Sequence, residues 1–358
     1  MSHRDTSNCP PEELHSQVEF ASGQPKEGTP ETQFRRDPDR SYLRKFFNAE
    51  LTFPDDAELE IWSFEDDVNR RSFPAPLTRA REGEIVHVKL KPGKRVHTIH
   101  HHGIEPDPRN DGVGHTSFEV TGNYTYQFLP EVGEPGNPNR GAAGSYFYHC
   151  HVNTVLHVQM GMFGPMIYDP PQGRGRAFID DPVGYDTRAE TLLVTYATDP
   201  RWHRLNHAAG LDGEDVGLER FEPSHFYLLG GNLDGSRPSR NKVHSIDEVL
   251  ATPPGERPAL LRLLNANYFP TLVTFGGGLR GEVIAHDGRP LRNTSVVPSP
   301  PVSALTTKLA FGAAERYDMR LRPPSGSIPG DTFPLRVQWF HWVTGEVVGT
   351  QRTRVRVI

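Results

Sequence analysis

Cysteine is almost missing from this 358-residue chain: only Cys9 and Cys150 are present, which excludes a disulfide framework and leaves each thiol to be explained alone. Nowhere do 18 apolar residues follow one another, so an ordinary membrane-spanning helix is excluded. Residues 1–40 are polar and contain no apolar core of the kind a secretory signal needs. A soluble, cytoplasmic protein with no membrane partner is the expectation. Basic residues are not in excess either: 39 Lys and Arg against 45 Asp and Glu give a net charge of -6. Without a lysine or arginine cluster, a nucleic-acid partner is not expected. Helical periodicity is scarce, whereas 34 glycines and 33 prolines favour short strands joined by turns. The fold class expected is all-β.

The apolar pattern divides the chain. Residues 1–44 are polar and proline-containing and read as a flexible N-terminal arm. Short alternating runs then appear between turn signals: EIVHVKLKP, YTYQFLP, SYFYHCHV and FGPMIYD. After a proline- and glycine-rich passage near 165–185 comes a second series, TLLVTYAT, HFYLLGG, LLRLLNA, TLVTFGG, GEVIAHDG and RYDMRLRPP. The final run, LRVQWFHWVTGEVVGTQRTRVRVI, predicts a hairpin turning at Thr344 and Gly345. Two β domains in succession, 45–170 and 171–358, account for this organisation.

Against these scarcities stands one concentration. In SYFYHCHVNTVLHVQMGMFG, residues 145–164, three histidines, one cysteine and two methionines fall within fourteen residues, a density of metal-ligating side chains that packing does not require. If YFYHCHV is a strand, Cys150 points to one face while His149 and His151 point to the other. Upstream, RVHTIHHHGIEPD sets His100 and His102 on one parity and His97 and His101 on the opposite one. Two sites back to back result. The inward one gathers His97, Cys150, His157 and Met162: two imidazoles, a thiolate and a weak thioether, a set that suits blue (type 1) copper better than zinc. Met160 and Met166 are rival thioethers on composition. The outward one gathers His100, His102, His149 and His151, an all-imidazole set that suits a redox-active copper meeting oxygen species. Because Cys150 is bonded to both of its histidine neighbours, an electron on the inward metal has a short covalent route outward. His101 falls outside the metal shell, and His115, His203, His207, His225, His244 and His286 are read as surface or structural.

The pairing of HTIHHHG with YHCHVNTVLHVQMGM resembles the multicopper oxidase superfamily, in particular its two-domain branch with the blue copper in the first domain. The likeness runs over roughly residues 45–170 and includes DGVGHTSFEVTGNYTYQFLP, similar to the family's stretch between its first H-x-H-G and its H-C-H. It implies two tandem cupredoxin-like Greek-key β-sandwich domains. It also implies copper as cofactor, one type 1 ion plus one or more further ions, and a homotrimer with copper between the first domain of one chain and the second domain of its neighbour. The function implied is a laccase-like copper oxidoreductase. Electrons from a small phenol-like or amine-like substrate would enter at the type 1 copper, pass through the catalytic group His149, Cys150 and His151, and reduce oxygen at the second centre.

The second domain departs from that pattern. Where an H-x-H pair is expected the chain reads NANYFPTLVTFGGGLRGEVIAHDGRPL, and the final segment offers only His341, in WFHWVTG. A lone histidine there is read as packed or interfacial, with membership of the second copper site as the other reading. Copper nitrite reductases look similar in the places of His97, His102, His149 and His341. Their catalytic aspartate would fall at His100, however, and their His-Cys pair is not followed by a histidine as His151 follows here. A nitrite reductase-like enzyme therefore stands second, beside a copper-binding or electron-transfer protein whose second site leaves oxygen untouched.

Overall fold

The computed structural model describes residues 37–67, 71–93, 96–104, 108–113, 123–204, 220–234 and 242–358. Cys9, His115, His207 and the arm as far as residue 36 lie outside them.

Strands dominate the described chain. The first nine are β1 (Arg40–Thr52), β2 (Glu58–Glu65), β3 (Ser72–Phe73), β4 (Thr78–Arg81), β5 (Val86–Lys91), β6 (His100–His102), β7 (Tyr124–Phe128), β8 (Gly144–His149) and β9 (Phe163–Asp169). They build two four-stranded sheets, ordered β2-β1-β5-β7 and β4-β9-β8-β6, closed over one core. The remainder are β10 (Glu190–Thr198), β11 (His225–Asn232), β12 (Lys242–Val243), β13 (Glu248–Ala251), β14 (Leu260–Asn265), β15 (Thr271–Phe275), β16 (Arg280–His286), β17 (Arg289–Pro290), β18 (Ala304–Thr306), β19 (Lys308–Phe311), β20 (Arg316–Arg322), β21 (Thr332–Phe340) and β22 (Val347–Val357). They form a second sandwich, one sheet ordered β11-β10-β14-β20-β16-β17 with β18 beside β16, the other β13-β22-β21-β15-β19. A short parallel pair, β3 with β12, stitches the two sandwiches together.

Burial explains which strands face which partner. All residues of β8, β9, β10 and β14 are buried, the near-continuous apolar reading of strands covered on both faces. Each has a sandwich core on one side and the other domain on the other. Phe147 and Phe163 of the first domain meet Leu192, Val194, Tyr196 and Leu264 of the second in a single interdomain cluster. At the outer wall, β21 alternates exposed and buried residues along its first six positions, as a half-solvated strand must. The hairpin it makes with β22 turns where the sequence predicts, with Gly345 at φ 71. No described helix is long and apolar enough to cross a membrane.

Strand β1 begins at Arg40, inside the segment expected as an arm. The reason is Arg44, which is 2% exposed: its guanidinium donates to the Tyr148 hydroxyl at 2.9 Å and to the Pro76 carbonyl at 3.1 Å, so this polar-looking stretch is held in the sandwich by its cation.

A buried ionic network holds the domains in register. Glu190 accepts from Arg262 at 2.8 Å, from Arg174 at 2.8 Å and from Arg79 at 3.0 Å, while Arg79 also grips Asp169 at 2.7 Å. Arg262 reaches Asp318 at 3.2 Å and the Ser145 hydroxyl at 3.0 Å, the latter four residues before His149. Burial would raise the Glu190 pKa, but the Arg262 and Arg79 guanidiniums outweigh it and hold the carboxyl down to about 2. Removing one partner from such a network leaves a buried charge uncompensated, at a cost of about 3–5 kcal/mol.

Candidate metal centres and their relatives

The strand β8 ends at His149, so Cys150 and His151 lie just beyond it rather than within the longer strand that the sequence pattern predicts. The chain then enters a seven-residue helix, Thr154–Met160, that strand periodicity conceals. Asn153 caps its start, with its side chain accepting from the Leu156 amide, and Gly161 caps its end at φ 109. This helix carries His157 back over Cys150 and delivers Met162 to the start of β9.

The result is a compact buried group. One ligand atom each from His97, Cys150 and His157 lie within 4.8 Å of one another. Sγ of Cys150 is 3.2 Å from Nδ1 of His157 and 3.7 Å from Nδ1 of His97. All three residues are buried, and Met162 beside them is fully so. Thr98 clamps the segment: its amide donates to Cys150 Sγ at 3.5 Å, and its hydroxyl accepts from the His151 amide at 2.8 Å. Cys150 and Met162 are tied through the backbone, Cys150 N–H donating to the Met162 carbonyl at 3.0 Å. Of the rival thioethers, Met166 already accepts from the Tyr168 hydroxyl at 3.2 Å. Aromatic rings seal the group, Phe46 stacked on His97 at 4.4 Å and Trp62 edge-on to His157 at 5.6 Å. Two imidazole nitrogens converging on one sulfur in a dry pocket fit copper, by the softness of the donors.

On the far side, β6 pairs with β8 so that His100 lies opposite His149 and His102 opposite Phe147. His100, His102 and His149 each offer a ligand atom within 4.8 Å of the others, and Nδ1 of His102 lies 3.4 Å from Nε2 of His149. Two of these rings are oriented from behind. His149 Nδ1–H donates to the Cys150 carbonyl at 2.9 Å and His100 Nδ1–H to the Asp111 carbonyl at 2.8 Å, which leaves Nε2 of each as the lone-pair nitrogen. Burial, reinforced by the neighbouring His100, holds His149 well below the ordinary imidazole pKa. Burial and then the Arg316 cation lower His102 to about 3. Both rings are neutral, the state a metal ligand needs.

His151 is outside this triple by ligand-atom distance, but its ring is as near as theirs are to one another, 5.4 Å from that of His100 and 5.7 Å from that of His149, and it lines the same cavity of about 260 Å³. The opposite wall comes from the second domain: Asn265, Ala266, Asn267, Tyr268, Ala313 and Ala314. The asparagines are committed to shaping their loop. Asn265 Nδ2 donates to the Phe269 carbonyl at 3.0 Å, and Asn267 Oδ1 accepts from the Phe269 amide at 2.8 Å. Among the described residues no second-domain histidine joins the triple. His341 sits in the β21–β22 turn, where its Nδ1 accepts from the Thr344 amide at 3.2 Å and its ring lies 5.8 Å from that of Phe269.

The remaining described histidines have other partners. His101 turns away from the triple, its ring 4.7 Å from Phe128. His203 is held by the Glu60 carbonyl at 2.7 Å and His225 by Asp55 at 2.7 Å. His286 converges with Asp287 and Glu315, but Asp287 is already ion-paired to Arg316 at 3.0 Å, and the group is a half-exposed ion-paired turn. Sequence reasoning missed Phe147, whose ring stacks on His102 at 4.6 Å and on His149 at 5.1 Å. The signal was available, since residue 147 shares strand parity with 149.

Known proteins resemble this chain over the region that carries both clusters. Residues 56–173, which contain both histidine clusters and Cys150, match the multicopper oxidase family. L-ascorbate oxidase of Cucumis sativus is 32% identical over 155 residues, 41% of this chain and 22% of that protein. Multicopper oxidase MmcO of Mycobacterium tuberculosis is 26% identical over 273 residues, 72% of this chain and 48% of that one. The blue copper oxidase of Nitrosomonas europaea superposes with a TM-score of 0.59 at 22% identity, covering 89% of this chain and 86% of that structure. Residues 56–173 thus carry the multicopper oxidase match, and 89% of the chain shares the fold of the blue copper oxidase structure. It spans between 22% and 48% of the length of these two curated relatives.

Proposed function

We propose that this chain is a copper-dependent oxidoreductase in which His97, Cys150, His157 and Met162 hold one copper and His100, His102, His149 and His151 hold a second copper centre. The observation that carries the reading is the adjacency of the two clusters: Cys150 belongs to one and its bonded neighbour His149 to the other. Copper bound there would supply one-electron chemistry, oxidising a small phenol-like or amine-like reductant at the thiolate cluster and reducing oxygen at the histidine cavity. The protein's own part is positional. Cys150 and His149 are joined by a peptide bond and again by the hydrogen bond from His149 Nδ1 to the Cys150 carbonyl, giving two short routes between the clusters. Cys150 is fully buried, with Phe46 and Trp62 packed on the imidazoles beside it, while the cavity beside His149 has room for a small oxidant. His341 lies in a hairpin turn whose neighbours Trp342 and Val343 are 58% and 80% exposed. In the homotrimer that the superfamily likeness suggests, this turn is available to a neighbouring subunit rather than to its own cavity.

Asn265 and Asn267 favour a second reading. With amides on the wall opposite the triple, the cavity could serve electron transfer or copper binding without oxygen turnover, or an acceptor such as nitrite. Oxygen uptake by copper-loaded protein with a panel of phenols and amines separates these. Steady consumption is expected; blue-copper reduction with no oxygen consumed would refute the oxidase and leave the electron-transfer protein or a nitrite reducer, which nitrite turnover then separates.

A further inference from the structure

One buried cation of the second domain acts on the histidine cavity, where its charge helps to lower the pKa of His102. Arg316 opens β20 in the second domain and is 3% exposed. Its Nε donates to the Ser145 carbonyl at 3.4 Å and its Nη1 to the Ala314 carbonyl at 2.8 Å, and the guanidinium lies 5.8 Å from the centre of the Tyr146 ring. Ser145 and Tyr146 lead into His149, and Ala314 lines the cavity. The most telling contact is with Gly103, directly after His102. A Cβ added there would collide with Nη2 of Arg316 and come within 2.9 Å of the Tyr146 ring. The main chain behind His102 is therefore bare where the guanidinium passes.

Three carboxylates, Asp287, Asp318 and Glu315, act on Arg316. Asp287 pairs with Nη1 at 3.0 Å and is 40% exposed. Asp318 is engaged by Ser145 and by Arg262, and Glu315 faces His286 at 3.2 Å. The guanidinium is thus buried, while the carboxylate paired with it is part-exposed to solvent.

We propose that Arg316 is a positioning residue that sets the reduction potential of copper held by His100, His102 and His149. The proposal rests on the copper reading of the preceding subsection. Reduction adds one electron and lowers the metal's charge from +2 to +1, so a fixed cation in a low-dielectric wall stabilises the reduced state relative to the oxidised one. Asp287 tempers this, because a partner carboxylate screens part of the field.

The test uses full-length, copper-loaded protein in a mediated reductive titration, with the second site's Cu(II) signal followed by electron paramagnetic resonance apart from the thiolate site's. Arg316→Gln should lower the Cu(I)-to-Cu(II) affinity ratio of the second site on the order of tenfold, about 59 mV for a one-electron couple. Arg316→Lys, which keeps the charge, should restore most of it. Asp287→Asn should move the ratio the opposite way; asparagine tolerates the left-handed backbone at this position, φ 49, and keeps the acceptor for the Arg316 amide, so folding is not at stake. A second-site signal whose potential does not move in Asp287→Asn, or moves as it does in Arg316→Gln, overturns the role of Arg316 alone. A wild-type protein that binds no copper beyond the thiolate site by metal analysis overturns both this proposal and the copper reading beneath it.

Discussion

Phe147 offers a way to loosen the histidine cavity while leaving the thiolate cluster in place. It lies across the β6–β8 pair from His102 and is 3% exposed. Its ring stacks on His102 at 4.6 Å and 28°, and on His149 at 5.1 Å and 25°. Aromatic stacks contribute about 0.5–1.5 kcal/mol each beyond burial, so the two together amount to roughly 1–3 kcal/mol of orientation. Replacing Phe147 with leucine keeps an apolar side chain of similar size, and packing should suffer by less than about 1.5 kcal/mol. The two imidazoles lose the surface that fixes their planes, and affinity for the second copper should fall about 10–100-fold, the usual scale for losing an outer support of a ligand. Phe147→Ala adds a cavity and should cost about 3–5 kcal/mol of stability as well. Competitive copper titration, with the two sites separated by visible and paramagnetic resonance signals, measures the first effect; denaturant unfolding of the metal-free protein measures the second. If Phe147→Leu weakens both coppers equally, or leaves the second untouched, the orienting role of the stack is wrong.

Other consequences follow from the same geometry. Cys150→Ser should abolish the intense visible absorption of the thiolate site while leaving the second copper bound, read from a visible spectrum and copper analysis of one sample. Gly161→Ala should destabilise the protein by about 1–3 kcal/mol, because the residue sits at φ 109 and its Cβ would lie 2.8 Å from Phe73; thermal unfolding checks this. Acid should loosen the interdomain network in a defined window. Glu190 has its pKa lowered from 4.5 to about 2 in the folded state, so its contribution is complete above the unfolded value and is lost as pH falls from about 4.5 toward about 2. The loss is about 3 kcal/mol, and denaturant midpoints measured across that range should show a slope that Glu190→Gln flattens.

The sequence pattern made the two histidine clusters legible because their residues lie close together along the chain. Strand alternation placed His100 and His102 together and His101 apart, and FGPMIYD forms β9 as expected, though buried at every position rather than alternating. The helix Thr154–Met160 escaped for a physical reason: two turns are too short to show a 3.6-residue period, and Val155 and Val158 look like strand residues. Its caps, Asn153 and Gly161, were the readable sign. Neither the wall of Asn265 to Tyr268 nor the cation at Arg316 could be read, since both arise from the second domain folding against the first, a long-range event that leaves no local periodicity. The same holds for Arg44, a polar residue buried because Tyr148 and Pro76 receive it.

The central claim is that two copper centres share the His149–Cys150 peptide. Its most direct test is copper content per chain on protein loaded anaerobically, with visible and electron paramagnetic resonance spectra of the same sample. The account predicts a blue thiolate band together with more than one copper per chain and two distinguishable Cu(II) signals. A protein that shows no blue band, or that binds a single copper with no signal from the histidine cavity, would contradict it.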